Sequence, residues 1–124
     1  MNDFDKSFAV THKVLDWTTA RARALTTNIA HASEPGYKRV DVSFGDLLEA
    51  VRAERERGQQ GALARAKPEA VVDLSAAPSS NGNTVDFERE QVQIDKNSLL
   101  HDLATYFASS KLNSLRSAIR GSAS

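Results

Sequence analysis

The chain has 124 residues, no cysteine, and 16 basic residues against 16 acidic ones. That length holds one modest domain and excludes a multidomain enzyme, and the lack of cysteine removes disulfides, thiol catalysis and Cys-ligated zinc. Charge is spread evenly, with 6 positive and 4 negative residues in 1–40, 5 and 7 in 41–84, and 5 and 5 in 85–124.

No third carries the field of a nucleic-acid binder or a polybasic membrane anchor, so neither partner is expected, and near-zero charge leaves little repulsion against self-association. Apolar runs reach only three residues, as in Phe8-Ala9-Val10 and Tyr106-Phe107-Ala108. A membrane span needs about 20 apolar residues and a cleavable signal a core of roughly 7 to 15, so neither is expected.

Positions 4, 8, 11, 15, 18, 22, 25 and 29 alternate spacings of four and three and read Phe4, Phe8, Thr11, Leu15, Thr18, Ala22, Leu25 and Ile29. This is a heptad stripe with two polar interruptions, and Val14 and Trp17 widen it. The pattern predicts a helix over residues 5–32. Pro35 then fixes its own φ and Gly36 accepts a positive one, so Glu34-Pro35-Gly36-Tyr37 reads as a type II turn.

Val40, Val42 and Phe44 alternate with Asp41 and Ser43, the period of a short extended segment. Ser43 with Asp46 can start a short helix over 46–57. From Gly58 to Asn83 the chain is rich in Gly, Ala, Ser and Asn, and mobility is expected there. Asp86 is a suitable N-cap, with Glu88 and Glu90 in the first turn that follows. A second helix is predicted over 87–120, with Gly121 as its C′ residue. Its apolar positions include Leu99, Leu100, Leu103, Phe107, Leu112, Leu115 and Ile119.

The resulting expectation is a mainly α fold. The terminal helices, in segments 1–33 and 86–124, pack as an antiparallel coiled coil or bundle. An irregular middle over 34–85 holds short extended and helical pieces.

Chemistry is sparse. His12, His31 and His101 lie in no His-Glu-x-x-His pair and at no helical ligand spacing, so they read as surface or interface residues rather than metal ligands. The glycines form no phosphate loop and no nucleophile elbow. Glu88 and Glu90 read as an acidic first turn rather than an acid–base pair. Trp17, Tyr106 and Phe107 read as core or subunit contacts. No catalytic residue, cofactor, metal or small-molecule substrate is expected, and two amphipathic stripes remain that the middle is too poor in large apolar residues to cover.

Two segments carry a resemblance. Asn28-Ile29-Ala30-His-Ala-Ser-Glu-Pro35-Gly36-Tyr37-Lys38, followed by Asp41-Val-Ser-Phe44, resembles the end of the N-terminal helix in the bacterial flagellar basal-body rod protein family. Gly82-Asn-Thr-Val85-Asp86-Phe-Glu-Arg-Glu90 resembles the segment that opens the C-terminal helix in its proximal-rod members, and Lys111 to Ile119 resembles their ending. Thr27, His31 and Glu34 depart from the usual motif, and the middle from about 50 to 78 matches nothing in the family.

The resemblance implies a structural proximal-rod subunit, exported through the flagellar type III apparatus without a cleaved signal and polymerised in the periplasm, where it helps transmit torque from motor to hook. Copies of itself, neighbouring rod subunits, a rod adapter protein and the export gate are the implied partners. The stripes place the expected assembly contacts at Leu15, Ala22, Leu25 and Ile29 on the first helix and at Leu103, Phe107, Leu112, Leu115 and Ile119 on the second. The terminal helices are expected to be partly disordered before and during export, and burial in intersubunit contacts to offset the entropy of ordering them. A helical regulator or chaperone using the same stripes is the competing reading.

Overall fold

The structure, a computed structural model, describes residues 3–123, so residues 1, 2 and 124 of the expected terminal segments lie outside the described residues. In chain order the elements are α1 (Asp3–Ala30), β1 (Val40–Val42), α2 (Gly45–Arg55), α3 (Ala62–Arg65), β2 (Ala70–Val72) and α4 (Phe87–Ala123). The fold is mainly helical, and α1 and α4 pack along one another as expected. Their direction is antiparallel: Asn28 near the end of α1 meets Glu90 at the start of α4, while Lys111 further along α4 lies over the ring of Phe4.

At about 1.5 Å per residue, the 28 residues of α1 span roughly 42 Å and the 37 of α4 roughly 55 Å. The part of α4 after Lys111 therefore runs past the start of α1. It also runs past the expected stop: Gly121 lies inside the helix rather than at C′, and its φ is not positive. A glycine within a helix costs only about 1 kcal/mol relative to alanine, too little to end one when its neighbours are helical and no proline follows.

The other face of α1 packs on a small apolar core. Trp17, Ala24, Val42, Leu47 and Leu63 are its buried members, drawn from α1, β1, α2 and α3. Trp17 is fully enclosed and donates its indole N–H to the carbonyl of Ser43 at 3.0 Å, which satisfies the one polar atom that such burial would strand. Its neighbour Thr18 is equally enclosed, although consecutive helical residues point about 100° apart. Helix α1 is thus covered on two sides, by the body and by α4.

The middle differs from the mobile segment expected of it. β2 pairs antiparallel with β1, with Val40 opposite Val72, Asp41 opposite Val71 and Val42 opposite Ala70. Lys13 of α1 donates to the carbonyls of Ala64 and Ala66, and the backbone N–H of Gly61 donates to the Glu54 carboxylate. These hydrogen bonds, together with the burial of Leu63 in the core, hold a stretch otherwise poor in large apolar side chains. Ser43 does act at the start of α2, where its hydroxyl accepts the N–H of Gly45.

The turn after α1 has the expected geometry. Gly36 has φ of +74° and the N–H of Tyr37 donates to the carbonyl of Glu34 at 3.3 Å. Gly82 lies against this turn and also has a positive φ, +82°, which favours glycine there.

Candidate functional site

The residues of the Asn28-to-Lys38 and Gly82-to-Glu90 motifs meet in one hydrogen-bonded knot where α1 ends and α4 begins. Asn28 is fully buried and acts as a piece of strand. Its Oδ1 accepts the N–H of Val40 at 2.9 Å and its Nδ2 donates to the carbonyl of Val40 at 2.7 Å. The same amide donates to Glu90 at 3.2 Å, and the hydroxyl of Tyr37 donates to Oδ1 at 3.2 Å. Burial, then the nearby charges of Glu34 and Glu90, raises the pKa of Tyr37 and keeps that hydroxyl a donor.

Asn83 closes the other half of the knot. Its Nδ2 lies 2.7 to 3.2 Å from the carbonyls of His31, Ala32 and Glu34, in the turns that follow α1. There the chain tightens, with the Ala32 N–H on the Ile29 carbonyl and the Glu34 N–H on that of His31, and α1 stops at Ala30 rather than at the predicted 32. Asp86 caps α4 as expected, accepting the N–H of Arg89 through its side chain and that of Glu90 through its carbonyl. Among the motif residues, Val85 and Ile29 are half-buried, whereas Ala30, Pro35 and Gly36 are exposed.

Glu88 and Glu90 do lie in the first turn of α4, and the side chain of Glu90 is only 2% exposed there. Burial of a carboxylate is tolerable only with a paired charge. Arg39 supplies it, donating Nε to Oε1 at 2.5 Å and Nη2 to Oε2 at 3.1 Å. The same guanidinium reaches Asp73 at 2.6 Å and Asp41 at 3.2 Å, and Arg21 forks onto Asp41 while donating to Gln93.

The hydrogen bond to Glu90 outweighs the effect of burial and raises the Arg39 pKa, so the guanidinium stays charged. Burial opposes ionisation of Asp41, but the Arg21 hydrogen bonds and charge prevail and hold it below the usual range. Asp73 is held low chiefly by the Ser75 hydroxyl, with Arg39 adding to the effect. The network ties α1, β1, β2 and α4 together, and its chemistry is that of a structural lock.

Further along, the seam between the long helices is polar. Asn97 is 4% exposed and donates to the backbone carbonyl of Thr18 at 2.9 Å. The Nδ1 of His101 lies 2.7 Å from the Thr18 hydroxyl. Glu90, Asn97 and Ala104 are the buried residues of α4 among those described, at heptad spacing that Lys111, half-buried, continues, with Ile94, His101 and Ala108 half-buried four residues after each.

The leucine stripe of α4, where assembly contacts were expected, is turned away from α1. Leu99 is 71% exposed and Tyr106 69%, and Leu103, Phe107, Leu112, Leu115 and Ile119 are all exposed. On α1, Ala22 is exposed and Leu15 and Ile29 are half-buried. Leu25, expected to meet a neighbouring subunit, is fully enclosed by the chain itself. Sequence reasoning missed Arg39, Glu90, Asn83, Asn97 and Thr18 as the groups that join the helices. The signal available for them was the 90, 97, 104 heptad, which hydrophobicity alone does not mark. Among the described residues no group of carboxylates and histidines could hold a metal ion, and no helix is long and apolar enough to cross a membrane.

The helix pair keeps Glu90, Asn97 and His101 against α1 and leaves most of the large apolar side chains of α4 exposed, the make-up of a structural helical subunit rather than of an enzyme pocket. No family model matches the chain. Individual relatives do: it is 32% identical to the flagellar basal body rod protein FlgB of Aeromonas hydrophila over 95% of this chain and 96% of that one. It is 31% identical to FlgB of Cereibacter sphaeroides over 98% and 99%, and 29% identical to FlgB of Salmonella typhimurium over 98% of each. The chain belongs to the FlgB family of flagellar basal body rod proteins, and it is a structural component of that rod.

Proposed function

We propose that this chain is a proximal-rod subunit that polymerises in the periplasm, after type III export, with copies of itself and with neighbouring rod subunits. In that role it helps transmit torque from motor to hook, with the rod adapter protein and the export gate as further neighbours. The observation that carries this reading is the outward face of α4, where Leu99, Leu103, Tyr106 and Phe107 are each about half or more exposed. Packing such a face against another helix removes apolar surface worth about 25 cal/mol per Å² from water. Leu112, Leu115 and Ile119 extend exposed apolar surface along the part of α4 that overshoots α1. Ordering on assembly is accordingly assigned to that overshoot, since α1 is held by the core and the knot.

The test is complementation of a strain lacking this gene, with basal bodies imaged in place. The unchanged chain restores the rod and swimming. Leu103→Asp with Phe107→Asp alters only exposed positions, so the purified variant keeps its helical circular dichroism yet restores neither. A normal rod built from that variant would sink the reading.

A further inference from the structure

Helix α4 carries two heptad faces with opposite chemistry. Glu90, Asn97 and Ala104 form the face buried against α1, while Val92, Leu99 and Tyr106 are exposed. The two series are offset by two residues, which is about 200° around a helix of 3.6 residues per turn. Leu103 and Ser110, both exposed, continue the second series at its intervening positions. Rolling α4 half a turn about its own axis would therefore place an apolar seam on α1 and turn the polar one to water. The hydrophobic effect favours the rolled arrangement, yet the structure has the other.

We infer that the polar seam is a rotational lock that holds the apolar face of α4 outward, with Glu90, Asn97 and His101 as its three fastening points along the helix. Each point meets a group on α1 that exists at one position only. Glu90 takes the Asn28 amide, Asn97 the Thr18 carbonyl, and His101 the Thr18 hydroxyl. The leucine stripe offers none of these partners: rolling would leave Asn28 only its bonds to Val40 and Tyr37 and Thr18 only its bond to the Leu15 carbonyl, and would take Glu90 from the Arg39 guanidinium. The lock is incomplete in one respect that marks it as a specificity device: Asn97 Oδ1 is buried without a hydrogen-bond partner among the described residues. A side chain kept for stability alone would not be polar there. A polar residue in an otherwise packable helix seam is the established way of fixing one arrangement at some cost in stability.

The experiment uses the full chain, whose lack of cysteine makes a single introduced thiol a clean probe. Ala104→Cys reports the inner face and Ser110→Cys the outer one, and neither change removes a large side chain. With the seam intact, the thiol at 110 reacts with a maleimide on the order of tenfold or more faster than the one at 104, since the latter waits for α4 to open. With Glu90→Ala, Asn97→Ala and His101→Ala added, the order reverses: 104 becomes the fast site and 110 the protected one.

Two results overturn the inference. If 104 stays protected and 110 stays fast, the polar contacts do not choose the rotation. If both thiols become fast, those contacts hold the helix on without the apolar face competing for its place. Fluorescence from Trp17, which sits in the separate core, reports whether the body is intact. Should the triple variant lose that signal, Asn97→Ala with His101→Ala decides by the same comparison. All readouts are on the isolated protein, so they stand apart from whether the chain polymerises.

Discussion

Helix α1 is packed twice, and the two packings share almost no chemistry. Toward the body it presents Trp17 and Ala24 to Val42, Leu47 and Leu63, a small apolar core in which Trp17 satisfies its own N–H. Toward α4 it presents Thr18 and Asn28 to Asn97, His101 and Glu90, a seam held by hydrogen bonds and one buried ion pair. Apolar burial is indifferent to small rotations, whereas a hydrogen bond fails within a few tenths of an ångström or a few tens of degrees. The body is thereby made stable, and the helix pair is made specific.

The contrast gives its largest effect at the core. Trp17→Ala should destabilise the chain by about 3–5 kcal/mol, the usual cost of emptying a large aromatic site, and is read from the shift of the urea midpoint. The loss should appear across both regions, because α1 is common to them. A variant that melts the body while α4 stays protected from hydrogen exchange would show that the two packings are independent.

Asn83→Ala comes next. It removes the amide that reaches the His31, Ala32 and Glu34 carbonyls, and about 1 kcal/mol is expected, since His31 and Glu34 keep a backbone partner. Hydrogen exchange should rise first in the last turn of α1 and the first of α4, with the Trp17 core unchanged. Equal acceleration throughout would remove the distinction between the two regions.

The smallest effect is that of acid. Asp41 and Asp73 have folded pKa values below their ordinary ones, so the stability they contribute is complete above about pH 4. It is lost as pH falls through their folded values. Urea midpoints should therefore be flat on this account from neutrality to about pH 4 and decline below it. In an Asp41→Asn, Asp73→Asn variant the decline should be shallower, and an unchanged slope would mean that the Arg39 and Arg21 network adds no acid sensitivity.

Both long helices were legible in the sequence, because a three-and-four spacing sustained over many residues has few other solutions. The Pro35-Gly36 turn was legible too, since its φ values need those two residues. What hydrophobic periodicity could not supply was the rotation of α4. It ranks leucines above asparagine and histidine as inward residues, and here specific partners on α1 reverse that ranking. The β1–β2 pairing escaped for a different reason: Ala70-Val71-Val72 is too short to show a period, and its partner strand lies beyond α2 and α3. Leu25 sat on the stripe expected to meet neighbours, but α1 has two covered sides, and a one-dimensional stripe does not say which of them another chain would occupy.

The Asn83 cap also bears on how the ends of the molecule come into being. A helix terminus ordinarily frays one residue at a time, with each carbonyl exchanging its partner for water. Just past α1, the Glu34 N–H already reaches the His31 carbonyl and the Tyr37 N–H the Glu34 carbonyl, and the Asn83 amide, 52 positions downstream of His31, fastens both turns at once. Closing a loop of that length costs roughly 3–4 kcal/mol in chain entropy, more than one amide can offset alone. The local turn can therefore form by itself, while its tie to the segment that opens α4 should appear only together with the other contacts between the two long helices.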